Sequence, residues 1–228
     1  FLIEDTAEAL GSTLGNKYLG SFGDISTFSF YANKHITMGE GGIVATNSSE
    51  VAETIRRMRN LDFDPKKRFY HEQMYWNYRL SGLQAALGLS QLSNLSNTIT
   101  DKQRQAVNYD KLFQDSLDCV QLPLKIHKNI KNHYWVYGIL LKNKFNRDDL
   151  ISALFSIGIE TRPFFWPLHL QPFLQKFETS KDNLSVSEKI SKEGLYLPLG
   201  KSLKKSQQET IVNSASRHPA AQRGPWGP

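Results

Sequence analysis

The feature that most constrains the fold is an alternation of short apolar, β-prone runs with helical stripes across the first half of the chain. Residues 1–3 are apolar and end in Glu4 and Asp5, which predicts a buried strand with acids at its carboxyl end. The other predicted elements are strands at 27–31 and 43–46, a brief helix at 7–10, a helix capped by Asn47 with an apolar stripe to Met58, and a long helical region from about Ser81 to about Leu117. This order predicts an α/β layer with parallel strands.

The pattern changes in the second half, which predicts a smaller α+β unit. Its elements are strands at 134–141 and 159–162, a helix capped by Asn146 and closed by Gly158, and helices near 187–193 and 206–213. We therefore predict a remainder of a large domain at 1–98 and a long helix with a small C-terminal domain at 99–213. Residues 214–228 are rich in Pro, Gly and Ala and are predicted to be a disordered or non-native tail.

Composition narrows the class of protein. The net charge is +6, but Lys and Arg are scattered and no nucleic-acid motif occurs, so the excess charge favours a small anionic substrate. Cys119 is the only cysteine, which excludes an intrachain disulfide and a cysteine-based metal site. His71, His127 and His218 lack metal-ligand spacing, so no metal is expected. With no apolar run long enough for a bilayer and no signal peptide, we expect a cytoplasmic protein.

Three residues stand where a cofactor site is expected. Lys34 lies in a turn between a strand and the glycine run 39–42, a place suited to an amine that forms a Schiff base. Asp5 ends an apolar strand, where ligands bind in α/β sheets, and its carboxylate could pair with a pyridine nitrogen. Ser29 could donate to a phosphate. Taken singly, each has a plainer explanation: a solvated lysine, a capping aspartate and a polar strand residue.

The combination is more specific than its parts. Residues 29–42 resemble the cofactor-lysine signature of the DegT/DnrJ/EryC1/StrS sugar aminotransferases, and residues 4–11 resemble the block that this family places around the cofactor ring. Residues 20–24 resemble the link between the two, and residues 77–80 resemble a block lent to the neighbouring subunit's site. The resemblance extends to about Asn213 and implies an α/β chain of the pyridoxal-phosphate (PLP) transferase fold type I, similar to aspartate aminotransferase.

The resemblance implies a role for each matching residue. Lys34 would hold PLP covalently and move a proton between cofactor and substrate carbons, Asp5 would pair with the ring nitrogen, and Ser29 would bind the phosphate. Asn77 would reach the phosphate of the partner's cofactor, which makes a homodimer necessary. Glu8 stands near the ring hydroxyl, where most of the family has Gln, so its role is less closely defined.

The C-terminal part resembles family members that act on GDP-linked sugars. Residues 133–135 and 159–169 carry this likeness, and Arg162, Trp166 and His169 are expected to line a nucleotide-sugar cleft, while Phe164 and Phe165 pack the core of the small domain. The expected reaction moves an amino group from glutamate to the 4-keto carbon of GDP-4-keto-6-deoxymannose, in O-antigen or lipopolysaccharide synthesis.

Two alternatives remain at this point. The family's PLP-dependent sugar dehydratases have histidine in place of the cofactor lysine, and Lys34 favours an aminotransferase over them. The other alternative is an inactive fragment that only dimerises. The chain begins with Phe1 within a predicted strand, and we expect about 150 residues of the family's N-terminal region to be missing.

Overall fold

The computed structural model describes residues 1–64, 66–127, 129–142, 145–177 and 183–217. The strands are β1 (Ile3–Asp5), β2 (Thr13–Leu14), β3 (Lys17–Tyr18), β4 (Ile25–Ser29), β5 (Gly42–Thr46), β6 (Val120–Gln121), β7 (Ile126–His127), β8 (Ile130–Lys131), β9 (Tyr137–Leu141), β10 (Arg162–Pro163) and β11 (Gly194–Leu197). The helices are α1 (Ser49–Met58), α2 (Gly82–Leu92), α3 (Leu95–Leu112), α4 (Arg147–Ser156), α5 (Ser185–Glu193) and α6 (Lys205–Arg217). Short 3₁₀ turns occur at Gln114–Ser116, Leu168–Leu170 and Pro172–Leu174.

The chain forms two compact units. The first comprises Phe1–Thr100 and Ile126–Trp135, and the second comprises Asp101–Lys125 and the described residues from Val136 onward. Segment 126–135 thus belongs to the first unit, although the sequence placed it in the small C-terminal domain. The reason is strand pairing, because Leu14 of β2 lies opposite Ile130 of β8 in the sheet β3-β2-β8-β7.

The main sheet of the first unit has the order β1-β4-β5. β1 and β4 are parallel, as the sequence predicted, and Asp5 lies opposite Thr27. β5 is antiparallel to β4, with Val44 opposite Thr27, so the prediction of parallel strands is wrong for β5. The link between them holds no crossover helix, which a parallel pair requires, and the amide of Phe30 closes the reversal by donating to Gly41 O (2.9 Å).

The segment after β1 is a turn, so the brief helix predicted at 7–10 is wrong. Ala9 N donates to Thr6 O and Ser12 N donates to Ala9 O, both bonds spanning three residues, and Gly11 has a φ of 84°. The left-handed glycine ends the local turn before a helical ladder can develop.

Local caps define the helices of the first unit. α1 is capped by Ser48, whose hydroxyl accepts from Val51 N, one residue later than the predicted Asn47. Ser81 and Gln84 form a capping box at the start of α2. The long helix predicted to about Leu117 is divided into α2 and α3, because the chain leaves the helical ladder at residues 93–94.

The second unit packs its helices around the antiparallel sheet β10-β11-β9-β6. Its largest fully buried apolar side chains are Tyr109, Phe113, Tyr137, Ile139, Leu154, Leu195 and Leu197. Asn146 caps α4 as predicted, since its side chain accepts from the amides of Asp148 and Asp149. Phe164 packs against the sheet as expected, whereas Phe165 is 63% exposed and does not belong to the core.

The last helix extends beyond its predicted end. Residues 214–217, which were assigned to a disordered or non-native tail, form the last turn of α6, and Ala215 is buried. Ile211 and Ala215 lie four residues apart on one helix face, and this apolar spacing continues the helix. The rest of the predicted tail, 218–228, lies outside the described residues. Among the described helices, none is long and apolar enough to cross a membrane.

Candidate cofactor site

The turn that contains Lys34 follows the carboxyl end of β4 and is supported by a small apolar core. Phe30, Ile36 and Met38 are buried there, with Phe28 and Leu80 packed against them. The amide of Lys34 donates to Tyr31 O (3.0 Å), which closes the turn. Apolar residues on either side of Lys34 therefore hold the backbone while the lysine side chain extends from a rigid support.

The Lys34 ammonium lies between an acid and an aromatic ring. Nζ donates to the Glu8 carboxylate and lies 4.1 Å from the ring centroid of Trp135. The indole Nε1 donates to Asn33 O (3.2 Å), which fixes the ring beside the turn. Only 10% of the lysine side chain is exposed, against 47% of the Glu8 side chain. The amine is thus largely shielded from water but open on the side of Glu8.

Asp5 and Ser29 end neighbouring parallel strands at the same edge of the sheet. Asp5 Oδ1 accepts from Ala7 N (3.1 Å) and from Thr27 Oγ1 (3.4 Å). Ser29 Oγ accepts from Tyr31 N (3.3 Å), so its own proton remains available to a ligand. Asp5 therefore performs the turn-capping role that its position suggested, and its second oxygen remains available as an acceptor.

Asn77 lies in another loop of the first unit. Its backbone pairs with Asn60, and its Oδ1 accepts from Arg79 Nε (3.0 Å) and Arg79 N (3.3 Å). Its side-chain amide Nδ2 is left to donate. The structure thus brings Lys34 and Glu8 together and places Asn77 elsewhere on the unit.

The three residues expected to bind the nucleotide sugar all lie in the second unit. Arg162 Nη2 donates to Glu160 Oε1 (2.6 Å), and His169 Nε2 lies 3.0 Å from Glu188 Oε1. Trp166 is 62% exposed. Arg162 and Trp166 thus present a cation and an aromatic surface to solvent, whereas the His169 side chain is held against α5.

Two contributors to the first-unit site were missed by the sequence analysis. Trp135 was named only as part of segment 133–135, which resembles family members that act on GDP-linked sugars. Its contact with Lys34 spans about a hundred residues of chain, which no local pattern reveals. Glu4 was assigned to a strand end and to the block around the cofactor ring, but its own contacts were not predicted: its carboxylate accepts from the amides of Gly20 (2.7 Å), Phe22 (2.7 Å) and Gly23 (2.6 Å). The sequence signal for this contact was an acid at position 4 together with the glycines of segment 20–23.

The comparisons with known proteins identify the class first. Helicobacter pylori PseC, an aminotransferase of pseudoaminic acid biosynthesis, matches with a TM-score of 0.85 and 29% identity over 93% of this chain and 58% of that one. DesV of S. venezuelae matches with a TM-score of 0.84 and 27% identity over 97% of this chain and 58% of the other. The fold is therefore that of the sugar aminotransferases, which confirms the predicted PLP transferase fold type I.

The chain belongs to the DegT/DnrJ/EryC1/StrS aminotransferase family, which matches residues 1–216. Two similar proteins are the GDP-perosamine synthases of Vibrio cholerae, 36% identical over 93% of this chain, and of Escherichia coli O157:H7, 35% identical over 94% of it. The chain spans 58% and 57% of the length of these two relatives. Aminotransferases of this family use PLP, as the sequence predicted.

The residues of the first unit fit this cofactor chemically. The largely shielded primary amine of Lys34 can react with the aldehyde of PLP. The second carboxylate oxygen of Asp5 can accept from the ring nitrogen, and the hydroxyl of Ser29 can donate to the phosphate. These groups are carried by the adjacent strands β1 and β4 and the turns that follow them.

Proposed function

We propose that this chain provides the cofactor lysine of a PLP-dependent aminotransferase that moves an amino group from glutamate to the 4-keto carbon of a nucleotide-linked 6-deoxy sugar. The observation that carries the proposal is the setting of Lys34. Its amine is largely shielded, lies against Glu8 and Trp135, and projects from the strand edge that also bears Asp5 and Ser29. Family membership supports the same reaction class.

Each residue has a definite role in the proposal. PLP supplies an electron sink when bound. Lys34 would hold the cofactor through its primary amine, and the same amine would carry the proton that transamination moves between two carbons. Asp5 would pair with the ring nitrogen and favour its protonated form, and Ser29 would donate to the phosphate. Glu8 accepts from the Lys34 ammonium and would orient this amine.

We propose in addition that the complete enzyme is a cytoplasmic homodimer with shared sites. Asn77 would donate its free amide hydrogens to the cofactor phosphate of the partner subunit. The loop position of Asn77, apart from the Lys34 turn, and the exposure of Tyr78 (72%) and Trp76 (61%) beside it support this arrangement.

The test of the reaction class is chemical trapping in the full-length protein. Borohydride should fix PLP on the peptide that contains Lys34, as mass spectrometry would show, and the product should carry a new amino group. Lys34→Ala should abolish both trapping and turnover, because no other amine occupies this turn. Lys66→Ala, which removes an exposed loop lysine, is the matched control. Normal turnover in Lys34→Ala would contradict the assignment, and a product without a new amino group would point to a dehydratase.

We further propose that the acceptor is GDP-4-keto-6-deoxymannose, in O-antigen synthesis, with Arg162, Trp166 and His169 at the nucleotide-sugar site. The likeness to GDP-perosamine synthases supports GDP, although other relatives at 32–33% identity are transaminases named for UDP-linked sugars. The exposed Arg162 guanidinium can form charge-assisted bonds to phosphate or sugar oxygens.

Side-by-side assays of the GDP-, UDP- and dTDP-linked 4-keto sugars test this acceptor. The GDP substrate should give the highest kcat/KM, and Arg162→Ala should raise the KM for the sugar nucleotide while leaving the glutamate half-reaction unchanged. Arg104→Ala, which removes another exposed and ion-paired arginine, is the control. A preference for UDP or dTDP would refute the GDP assignment and leave the aminotransferase class intact.

A further inference from the structure

The loop between α1 and α2 contains a buried carboxylate to which the proposed reaction assigns no task. Asp62 is 1% exposed. Its Oδ1 accepts from Nε (2.7 Å) and Nη2 (2.6 Å) of Arg57, and its Oδ2 accepts from the amides of Glu72 (2.9 Å) and Gln73 (2.8 Å). A buried charge is tolerated when it is paired and hydrogen-bonded in this way, and removing the charge leaves its partners uncompensated.

The backbone at this point adopts a conformation that requires support. Leu61 and Asp62 have φ values of 57° and 59°, and both are residues with a Cβ that disfavours the left-handed region. Leu61 N donates to Trp76 O (3.2 Å), Asp62 N donates to Arg57 O (3.0 Å), and Leu61 O accepts from His71 Nδ1 (2.6 Å). The strained pair is therefore tied to the end of α1 and to the returning arm of the loop.

The same contacts continue to Asn77. Tyr78 N donates to Arg59 O (2.8 Å), and the backbone of Asn77 pairs with that of Asn60. Arg79 joins the two asparagine side chains, with Nη1 donating to Asn60 Oδ1 (2.9 Å) and Nε donating to Asn77 Oδ1 (3.0 Å). Asp62 thus holds residues 72–73, and its neighbours 59–61 hold residues 76–78.

We propose that Asp62, held by Arg57, is a positioning residue that sets the place of Asn77 for binding the cofactor phosphate of the partner subunit. This inference rests on the proposed function, since it requires shared sites. Asp62 itself is enclosed by its own loop and acts only through the loop arm that carries Asn77.

The first experiment uses Asp62→Asn in the full-length protein. The variant is nearly isosteric, but it removes the charge and turns an NH₂ group toward existing donors. Amide exchange at Glu72, Gln73 and Tyr78 should accelerate, and the Kd for PLP should rise, each by about tenfold or more. Turnover at saturating PLP should stay within about twofold, because Asp62 does not touch the reacting groups. Arg56→Gln should change none of these, because Arg56 is exposed and, among the described residues, is paired with Glu53 alone.

The proposal would be overturned if Asp62→Asn left both the amide hydrogen exchange of the loop and the Kd for PLP unchanged. It would also be overturned by a loss of turnover that saturating PLP does not restore. If Asp62→Asn does not fold, Arg57→Gln takes its place, because it removes two of the four donors to Asp62 and leaves the carboxylate in position. The same results are then expected and the same results count against the proposal.

The second experiment separates this inference from the proposed function. Lys34→Ala subunits are mixed with Asp62→Asn subunits at limiting PLP, and in parallel with Asn77→Ala subunits. Each mixed dimer holds one site with an intact Lys34 and an intact Asn77 loop, so at limiting PLP both mixtures should be more active than either of their component variants alone. If only the Asn77→Ala mixture regains activity, the role of Asp62 is refuted while shared sites stand. If neither mixture does, the shared site fails and this inference fails with it.

Discussion

Glu4 shows at the scale of one residue how a carboxylate fixes a loop. It binds three amides of the segment 20–23 within hydrogen-bond distance. Burial alone raises the pKa of this carboxyl, but the N–H groups of Gly23, Gly20 and Phe22 and the charge of Lys17 outweigh it, so the pKa lies below its usual value. The ionised form is thus the one that the folded chain prefers.

The first prediction follows from the sign of that shift. A carboxyl with a depressed pKa in the folded state contributes stability that is fully present above its unfolded value of 4.5 and is lost as the pH falls through the folded value. Glu4→Gln should therefore lower the free energy of unfolding at pH 7 and weaken the loss of stability below pH 4.5. Urea unfolding at pH 7 and in the acid range measures both.

Glu53→Gln is the matched control for Glu4, because Glu53 is exposed and its side chain has one contact within the part of the chain that the structure describes, a long one of 3.4 Å to Arg56. Its unfolding should follow that of the unmodified chain throughout. A Glu4→Gln chain that keeps the full acid dependence would show that the three amide bonds do not favour the ionised carboxylate.

At the scale of elements, two glycines in neighbouring strands create the space for an aromatic ring. A Cβ on Gly138 of β9 would lie 2.4 Å from the Phe164 ring, and a Cβ on Gly194 of β11 would lie 2.3 Å from that ring and 2.4 Å from Ile190 O. Phe164 also meets Tyr196 edge to face, with ring centroids 6.4 Å apart. The ring therefore closes one face of the sheet where β9 and β11 pair.

The second prediction is that Gly194→Ala destabilises the second unit by about 1–3 kcal/mol, as overpacking typically does. The backbone oxygen of Ile190 cannot move away as easily as the end of a flexible side chain. Gly200→Ala should cost little, because nothing lies within 4 Å of its Cβ position. Denaturant unfolding of the two variants compares them, and equal stability would contradict the packing role of Gly194.

Elements defined by local signals could be predicted from the sequence, and elements defined by pairing could not. Asn146 and the apolar stripe of α4 lie within one segment, so the helix was predicted with its cap. The direction of β5 depends on how the chain reverses after Phe30, and the division between α2 and α3 has no glycine or proline to mark it. The motif around Lys34 identified the class of site because strand, turn and lysine are contiguous there, whereas Trp135 reaches Lys34 through the fold alone.

At the scale of the whole molecule, the chain passes between the two compact units three times. Residues 126–135 return to the first unit after residues 101–125 have contributed to the second. Trp135 and Tyr137 are therefore two positions apart in sequence but belong to different units. Trp135 donates to Asn33 O, while the Tyr137 hydroxyl donates to the buried Asp110 Oδ1 (2.7 Å).

The last prediction uses this pair as matched probes, since phenylalanine at either position removes a single donor and keeps a ring. Trp135→Phe should accelerate hydrogen exchange at the Lys34 amide and leave Ile139 and Leu195 unchanged. Tyr137→Phe should do the reverse, because an acceptor left unsatisfied on Asp110 costs about 1–3 kcal/mol beside the strands β9 and β11. Cooperative units open separately when their contacts are largely internal, so exchange should report each change within its own unit. If both variants accelerate the same amides, the two units unfold together, and the Lys34 turn is as stable as the sheet of the second unit.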